Sequence, residues 1–287
     1  MKGLLIVNNF MHSKKFYDLY NIFIDASRKL KIDLTLKRTG ELLHNIDSLS
    51  SLNVDFVIFW DKDVVLCQML EALGISVFNN SKAIENCDNK AKMAVVLESH
   101  KIRIPETFTS PLSFERICEF DFLDPIIEKT GIPFVIKEVY GSFGQQVFLA
   151  KNKDDAINII SSFNGRSFII QEFISSSFGR DIRVNVIGDK VVSSILREST
   201  NGDFRSNLSL GGKMTNISVN EDVSNLCIKS AKAFDLDFAG IDVLFGKNDE
   251  PIICELNSNP HFRTTLECTG YNMAEGILRH IISRLNK

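Results

Sequence analysis

The chain has 287 residues, 44% of them hydrophobic and 24% charged, with a net charge of −3. At about 150 residues per domain that is enough for two or three lobes, each with a packed core. The slightly acidic balance argues against a general nucleic-acid binder, and no apolar run approaches the ~20 residues that span a bilayer.

The first apolar run covers only residues 4–7 and breaks at Asn8-Asn9, so it reads as a buried strand and not as a secretory leader. A cytoplasmic protein is expected. Phe16, Leu19, Tyr20, Phe23 and Ala26 then recur at helical steps. Residues 32–36 alternate as a strand, and residues 55–60 form a buried one. A helix over 64–73 is closed by Gly74, and residues 75–78 are a strand again. This rhythm predicts a parallel sheet covered by helices, an α/β lobe over residues 1–80. No GxGxxG follows the first strand, so a dinucleotide site is not expected there.

From residue 81 the pattern changes. Asp88 is the expected N-cap of a helix whose stripe is Met93, Val96 and Leu97, ended by Ile104-Pro105. A looser stretch reaches residue 129. Strands over 133–140 and 146–150 flank the glycine-bearing loop 141–145, followed by a helix over 153–163 and a strand over 167–173. Residues 81–173 therefore make a central lobe, and residues 174–287 a last one with antiparallel character. There, strands over 182–187 and 191–196 flank Gly188-Asp189, a hairpin signal. A helix over 222–235, strands over 239–245 and 251–256, and a terminal helix over 272–286 complete the lobe. The six cysteines include no CxxC pair and no zinc-like spacing, which reads as reduced thiols.

The last two strands carry the most chemistry. Glu255 and Asn257 share a face of one strand, and a hairpin closed by residues 246–251 sets Asp242 opposite Glu255. Opposed carboxylates repel, so a cation between them is expected. Hard oxygen donors suit Mg²⁺ or Mn²⁺, with phosphate completing the shell. Without a metal, one acid should hold its proton more tightly or turn away. In another register both acids would be solvated surface charges.

Lys137 sits in a strand otherwise built for burial, where an ammonium needs an anion. Gly141, Ser142 and Gly144 follow at once, and glycine lets backbone N–H groups approach phosphate. A plain turn is the alternative. Asp181, Arg183 and Asn185 share a polar strand face, and Arg205 and Asn207 lead into Gly211-Gly212. Each of these is either solvated surface or part of a site.

Seven anchors occur in order: Asp88-Asn89-Lys90, Val135-Ile136-Lys137, Gln171-Glu172-Phe173-Ile174, Asp181-Ile182-Arg183, Arg205-Ser206-Asn207, Gly240-Ile241-Asp242 and Glu255-Leu256-Asn257. With the run GRDIRVNVIGDKVVSSILRESTNGDFRSNLSLGG at 179–212, they resemble the RimK-type ATP-grasp ligases over residues 80–287. The resemblance implies an ATP-grasp fold preceded by a small parallel α/β lobe. It also implies ATP with Mg²⁺ or Mn²⁺, and a reaction joining a carboxylate to an amine through an acyl phosphate. By that resemblance Lys90 and Lys137 contact the ATP phosphates and the glycine loop is a lid. Gln171, Glu172 and Phe173 lie at the adenine hinge, and Asp181 lies at the ribose. Arg205 and Asn207 reach the γ-phosphate, with Lys137 sharing the catalytic charge. Asp242, Glu255 and Asn257 hold the metal.

The substrates implied are an amino acid, with glutamate the family's commonest amine, and a carboxylate on a small molecule, peptide or protein tail. Assembly with copies of itself is left open. Many members follow Glu-x-Asn with Ser-Pro-Gly, whereas this chain has Ser258-Asn259-Pro260-His261-Phe262-Arg263. His261, Phe262 and Arg263 are therefore expected close to the acceptor pocket, and His261 and Arg263, together with Arg183 on its polar strand face, are the expected substrate residues. Two rival functions keep the same ATP side: a kinase or ATPase that releases its phosphorylated product, and a nucleotide sensor without catalysis.

Overall fold

The first segments do form a parallel sheet. The structure, a computed structural model, describes residues 1–141, 144–206 and 212–286. It begins with β1 (Lys2–Val7), α1 (Lys14–Lys29), β2 (Asp33–Arg38), α2 (Ile46–Leu49), β3 (Phe56–Trp60), α3 (Val64–Ala72) and β4 (Val77–Phe78). The strands are parallel in the order β2-β1-β3-β4. The central β1 and β3 are covered on both faces, which is why they read as unbroken apolar runs. Gly74 ends α3 in the left-handed region (φ +76°), and its N–H donates to the Glu71 carbonyl at 2.9 Å.

A helix that was not expected, α4 (Ser81–Asp88), precedes the one expected behind Asp88, which is α5 (Lys90–Ser99). Asp88 ends the first and pairs with Lys62. The cap of the second is Asn89, whose side-chain oxygen accepts from the Lys92 N–H at 2.9 Å. The expected cap is thus displaced by one residue, because the Asp88 backbone is still helical and its carboxylate is engaged elsewhere. Next come β5 (Thr107–Thr109), α6 (Leu123–Thr130), β6 (Phe134–Glu138), β7 (Val147–Ala150), α7 (Lys153–Ser162) and β8 (Phe168–Glu172). Their strands form an antiparallel sheet, β5-β8-β6-β7.

The rest of the chain supplies β9 (Arg180–Ile187), β10 (Lys190–Glu198), β11 (Lys213–Asn216), α8 (Glu221–Ala233), β12 (Phe238–Phe245), β13 (Pro251–Asn257), α9 (Arg263–Thr269) and α10 (Met273–Leu285). The sheet order is β11-β10-β9-β12-β13, antiparallel throughout. Gly188, at φ +58°, makes the β9–β10 turn, as the hairpin signal implied.

The core under the parallel sheet is shared with the end of the chain. Met273, Ile277 and Ile281 of α10 pack with Phe23, Trp60, Phe238 and Phe262. Trp60 meets Phe23 at 4.9 Å, Phe238 at 5.5 Å and Phe262 at 5.8 Å between ring centroids. Such pairs add about 0.5–1.5 kcal/mol each beyond burial.

A buried amide fastens the same junction. Asn79 donates to the carbonyls of Phe238 and Ser258, each at 2.9 Å, and accepts from the N–H groups of Asp237 (2.7 Å) and Phe238 (3.3 Å). Asn79→Ala strands these backbone groups where water does not reach. The expected loss is about 3 kcal/mol or more, read as a lower urea midpoint. A loss below about 1 kcal/mol would show that the junction stands without the amide.

Candidate active site

A cleft opens where the N-terminus of α5 meets β6, β8 and β13. Met93, Ala94, Leu97, Ile104 and Ile169 make its apolar wall, and Lys90, Lys137, Gln171, Cys254 and Glu255 its polar one. Lys90 is the first residue of α5, and its N–H donates to the Val139 carbonyl at 3.1 Å. Its ammonium donates to the Gly141 carbonyl at 3.1 Å and lies 3.9 Å from Glu255. Lys137 projects from β6 to within 3.9 Å of the Cys254 sulfur. Burial pushes the Lys90 pKa below the ordinary lysine value, and the Lys137 charge adds to that, against the opposing pull of Glu255. Two ammonium groups therefore share a partly enclosed space with one carboxylate, an arrangement that favours an added anion.

Of the three expected hinge residues, Gln171 lines the cleft, its amide donating to Thr107 Oγ1 at 2.8 Å. Glu172 is exposed and accepts from the Glu106 N–H at 3.4 Å. Phe173 stacks edge-on against Phe178 and Phe204. Gly141 and Gly144 bracket the loop, and Gly144, at φ +69°, adopts a conformation suited to glycine. Ser142 and Asn207 lie outside the described residues. Arg205 is tied to this loop through the Gly144 carbonyl at 2.7 Å. It also forms a fork with Asp203 at 3.0 and 2.8 Å, a hydrogen bond that raises its pKa.

On the opposite side, the expected register holds. Asp242 pairs with Glu255 and Gly240 with Asn257 across β12 and β13. The charge balance differs from expectation. Arg183 Nε and Nη2 donate to the two Asp242 oxygens at 2.5 and 2.9 Å, and Arg197 Nη2 lies 2.8 Å from one of them. Burial alone would raise the Asp242 pKa, but Arg183 and then Arg197 outweigh it and hold the carboxyl below its usual range. Neither a tightly held proton nor a turned-away acid is needed at Asp242, because two guanidinium groups already neutralise it.

Arg197 was not legible as a site residue. It also donates to both oxygens of Asp181, at 2.6 and 2.5 Å. Asp181 is thus buried under an arginine, and the expected ribose contact finds no open carboxylate here. Glu255 keeps Lys90 as its cation, and the Asn257 amide nitrogen donates to the Gly240 carbonyl at 3.2 Å. That leaves the amide oxygen as the acceptor.

Two expected substrate residues are engaged by the fold. Arg263 donates to Asp18 of α1 at 2.7 Å and to Glu267 at 2.9 Å, so its fork is already taken. The His261 ring packs edge-on against Phe16, and its Nε2 lies 3.2 Å from the Lys15 carbonyl. Burial lowers its pKa first, against the Lys15 hydrogen bond, with the Lys15, Arg263 and Arg183 charges adding to the depression. Both residues fasten segment 258–263 to α1.

Among the described residues, no three His, Cys, Asp or Glu side chains gather around one point. The mixed set of Asp242, Glu255 and Asn257 still fits a hard divalent ion. It offers oxygen only, on register-paired strands, with two carboxylates. The ammonium pair fits a polyphosphate beside it.

A RimK-like ATP-grasp domain is matched over residues 87–281. The chain is 32% identical over 246 residues to a probable alpha-L-glutamate ligase of Maridesulfovibrio salexigens, covering 84% of this chain and 78% of that one. It is 34% identical over 203 residues to N-acetylaspartylglutamate synthase A of Homo sapiens, covering 70% and 51%. The fold matches that of D-alanine–D-alanine ligase from Bacillus anthracis, solved in complex with ATP, with a TM-score of 0.75, 18% identity, and 99% and 97% coverage. Among the described residues, no helix is long and apolar enough to cross a membrane.

Proposed function

Because the chain belongs to the RimK-like ATP-grasp family of ATP-dependent carbon–nitrogen ligases, we propose that it joins glutamate, as the amine, to a carboxylate on a small molecule, peptide or protein tail. The observation that carries the ATP side is the pair Lys90 and Lys137 around a single carboxylate, Glu255, in a cleft with an apolar wall. The division into lobes 1–80, 81–173 and 174–287 belongs to the same proposal, with ATP between the second and third and the hinge at 171–174.

An oxygen of the substrate carboxylate attacks the γ-phosphorus of ATP, the bond to ADP breaks, and an acyl phosphate forms. The amine then attacks the acyl carbon, phosphate departs with the bonding pair, and the amine nitrogen loses a proton. Lys90 and Lys137 neutralise the phosphate chain, and Arg205 with Asn207 meets the transferred group. Arg205 already grips the Gly144 carbonyl, so closure of the glycine loop and placement of this arginine are linked. Mg²⁺ or Mn²⁺, held by Asp242, Glu255 and Asn257, would add charge neutralisation on the phosphates. We place the substrate carboxylate near Arg183, since Arg263 is already committed to Asp18 and Glu267.

ADP release measured over a panel of carboxylates, with and without L-glutamate, tests this reading. Release that requires both partners is the expected result. Release at full rate with a carboxylate alone and no amide product would identify a kinase or ATPase instead.

A further inference from the structure

Four charged side chains from three neighbouring strands form a closed set beside the cleft: Asp181 and Arg183 on β9, Arg197 on β10 and Asp242 on β12. All four are largely enclosed, with side chains 10–14% exposed. The two arginines are not equivalent. Arg197 holds a second carboxylate, and if Asp242 turned to another cation it would keep both oxygens of Asp181. Among the described residues, the carboxylate within 4.0 Å of Arg183 is that of Asp242 alone.

Arg183 also lies close to the segment that follows β13. A Cβ added at Gly240 would lie 2.6 Å from Pro260 Cβ and 3.0 Å from Arg183 Nη1. Glycine at that position lets Pro260 and the guanidinium sit close together over β12.

A carboxylate offers about four lone-pair sites, and two hydrogen bonds from Arg183 and an ion-pair contact from Arg197 at 2.8 Å already reach Asp242. A divalent ion must displace part of this set, and its charge repels both arginines. The group that yields is the one without a second partner. Once it yields, Arg183 is an enclosed cation facing no protein anion, which strongly favours capture of an anion from the substrate.

We propose that Arg183 is an exchangeable counter-ion: it holds Asp242 until the metal arrives, then releases it and receives the substrate carboxylate, while Arg197 stays fixed by Asp181. Arg183 then binds substrate directly and makes metal binding and carboxylate binding favour one another, each by the same factor. The inference rests on the reading of Asp242 as a metal ligand.

Mn²⁺ titration of the full chain at saturating ADP tests it, with free Mn²⁺ read by electron paramagnetic resonance against an ADP blank. The proteins are wild type, Arg183→Gln, Arg183→Lys and Asp242→Asn. Removing the competitor should tighten Mn²⁺ binding by about tenfold in Arg183→Gln, the scale expected for a close charge pair. Arg183→Lys keeps the charge but loses the fork, so it should bind several-fold tighter than wild type. It stands in for the first variant if that one does not fold. A purely structural arginine would leave binding unchanged or weaken it, and either result in the arginine variants overturns the exchange. Asp242→Asn should bind at least about tenfold more weakly. If it binds like wild type, the metal reading fails and this inference fails with it. If it weakens while the arginine variants do not tighten, the exchange alone is wrong.

Discussion

Lys137→Ala lowers ATP-dependent turnover by about 10³-fold and leaves the fold intact, the scale seen when one preorganised charge facing a transition state is removed. The expectation follows from where the ammonium sits. Phe134, Val135 and Ile136 anchor β6 in the core, so the strand does not depend on Lys137 for its place. The polar contact of its ammonium among the described residues is the Cys254 sulfur at 3.9 Å, and no ion pair is broken when it goes. The charge is available to a ligand. ADP-release kinetics beside a thermal melt make the check, and turnover near wild type in a folded variant would remove Lys137 from the phosphate clamp.

Glu255→Gln should be nearly as damaging, about 10²–10³-fold in turnover, for a different reason. Asp242 already has two guanidinium partners, whereas Glu255 has one ammonium at 3.9 Å and a partly exposed carboxylate. Glu255 is therefore the acid most ready to meet a divalent ion. The amide keeps the shape and removes the charge. ATP and Mg²⁺ should each strengthen the binding of the other in the wild type, by equal factors, and that linkage should largely vanish in the variant. Calorimetric titration of ATP with and without Mg²⁺ measures it. Equal linkage in both proteins would mean that Glu255 does not face the metal.

The sequence disclosed the strands that carry the site more fully than it disclosed the contacts within it. The Asp242–Glu255 pairing was anticipated from two largely apolar strands joined by a short loop, but a bulge completes it: with Phe245 opposite Pro251 an unbroken ladder would set Asp242 opposite Cys254, and the irregularity between Asp242 and Val243 brings in Glu255. Arg197 was not readable, and a single bulge explains why. A two-residue turn at Gly188-Asp189 sets Ile187 opposite Lys190, and an unbroken ladder would then place Arg197 opposite Arg180, a repulsive pair. The irregularity between Val191 and Ser193 shifts the register by one and brings Arg197 to Asp181. Arg263 misled in the other direction. A lone arginine after the metal strand looks free in sequence, but Asp18, 245 positions away on α1, claims it in space. The missed elements β5 and β11 are short strands of three and four residues, too brief to show a period. The helix α4 was hidden because Asn80 and Asn89 cap two consecutive helices with almost no spacer.

The acyl phosphate is the step on which the proposed function turns, and isotope transfer tests it most directly. The enzyme is supplied with ATP, L-glutamate and the carboxylate that supports ADP release, the latter labelled with ¹⁸O in its carboxyl group, and the inorganic phosphate is analysed by mass spectrometry. One labelled oxygen should appear in the phosphate for every amide formed, because the oxygen that attacked the γ-phosphorus leaves with it. Amide formation with unlabelled phosphate would contradict the route.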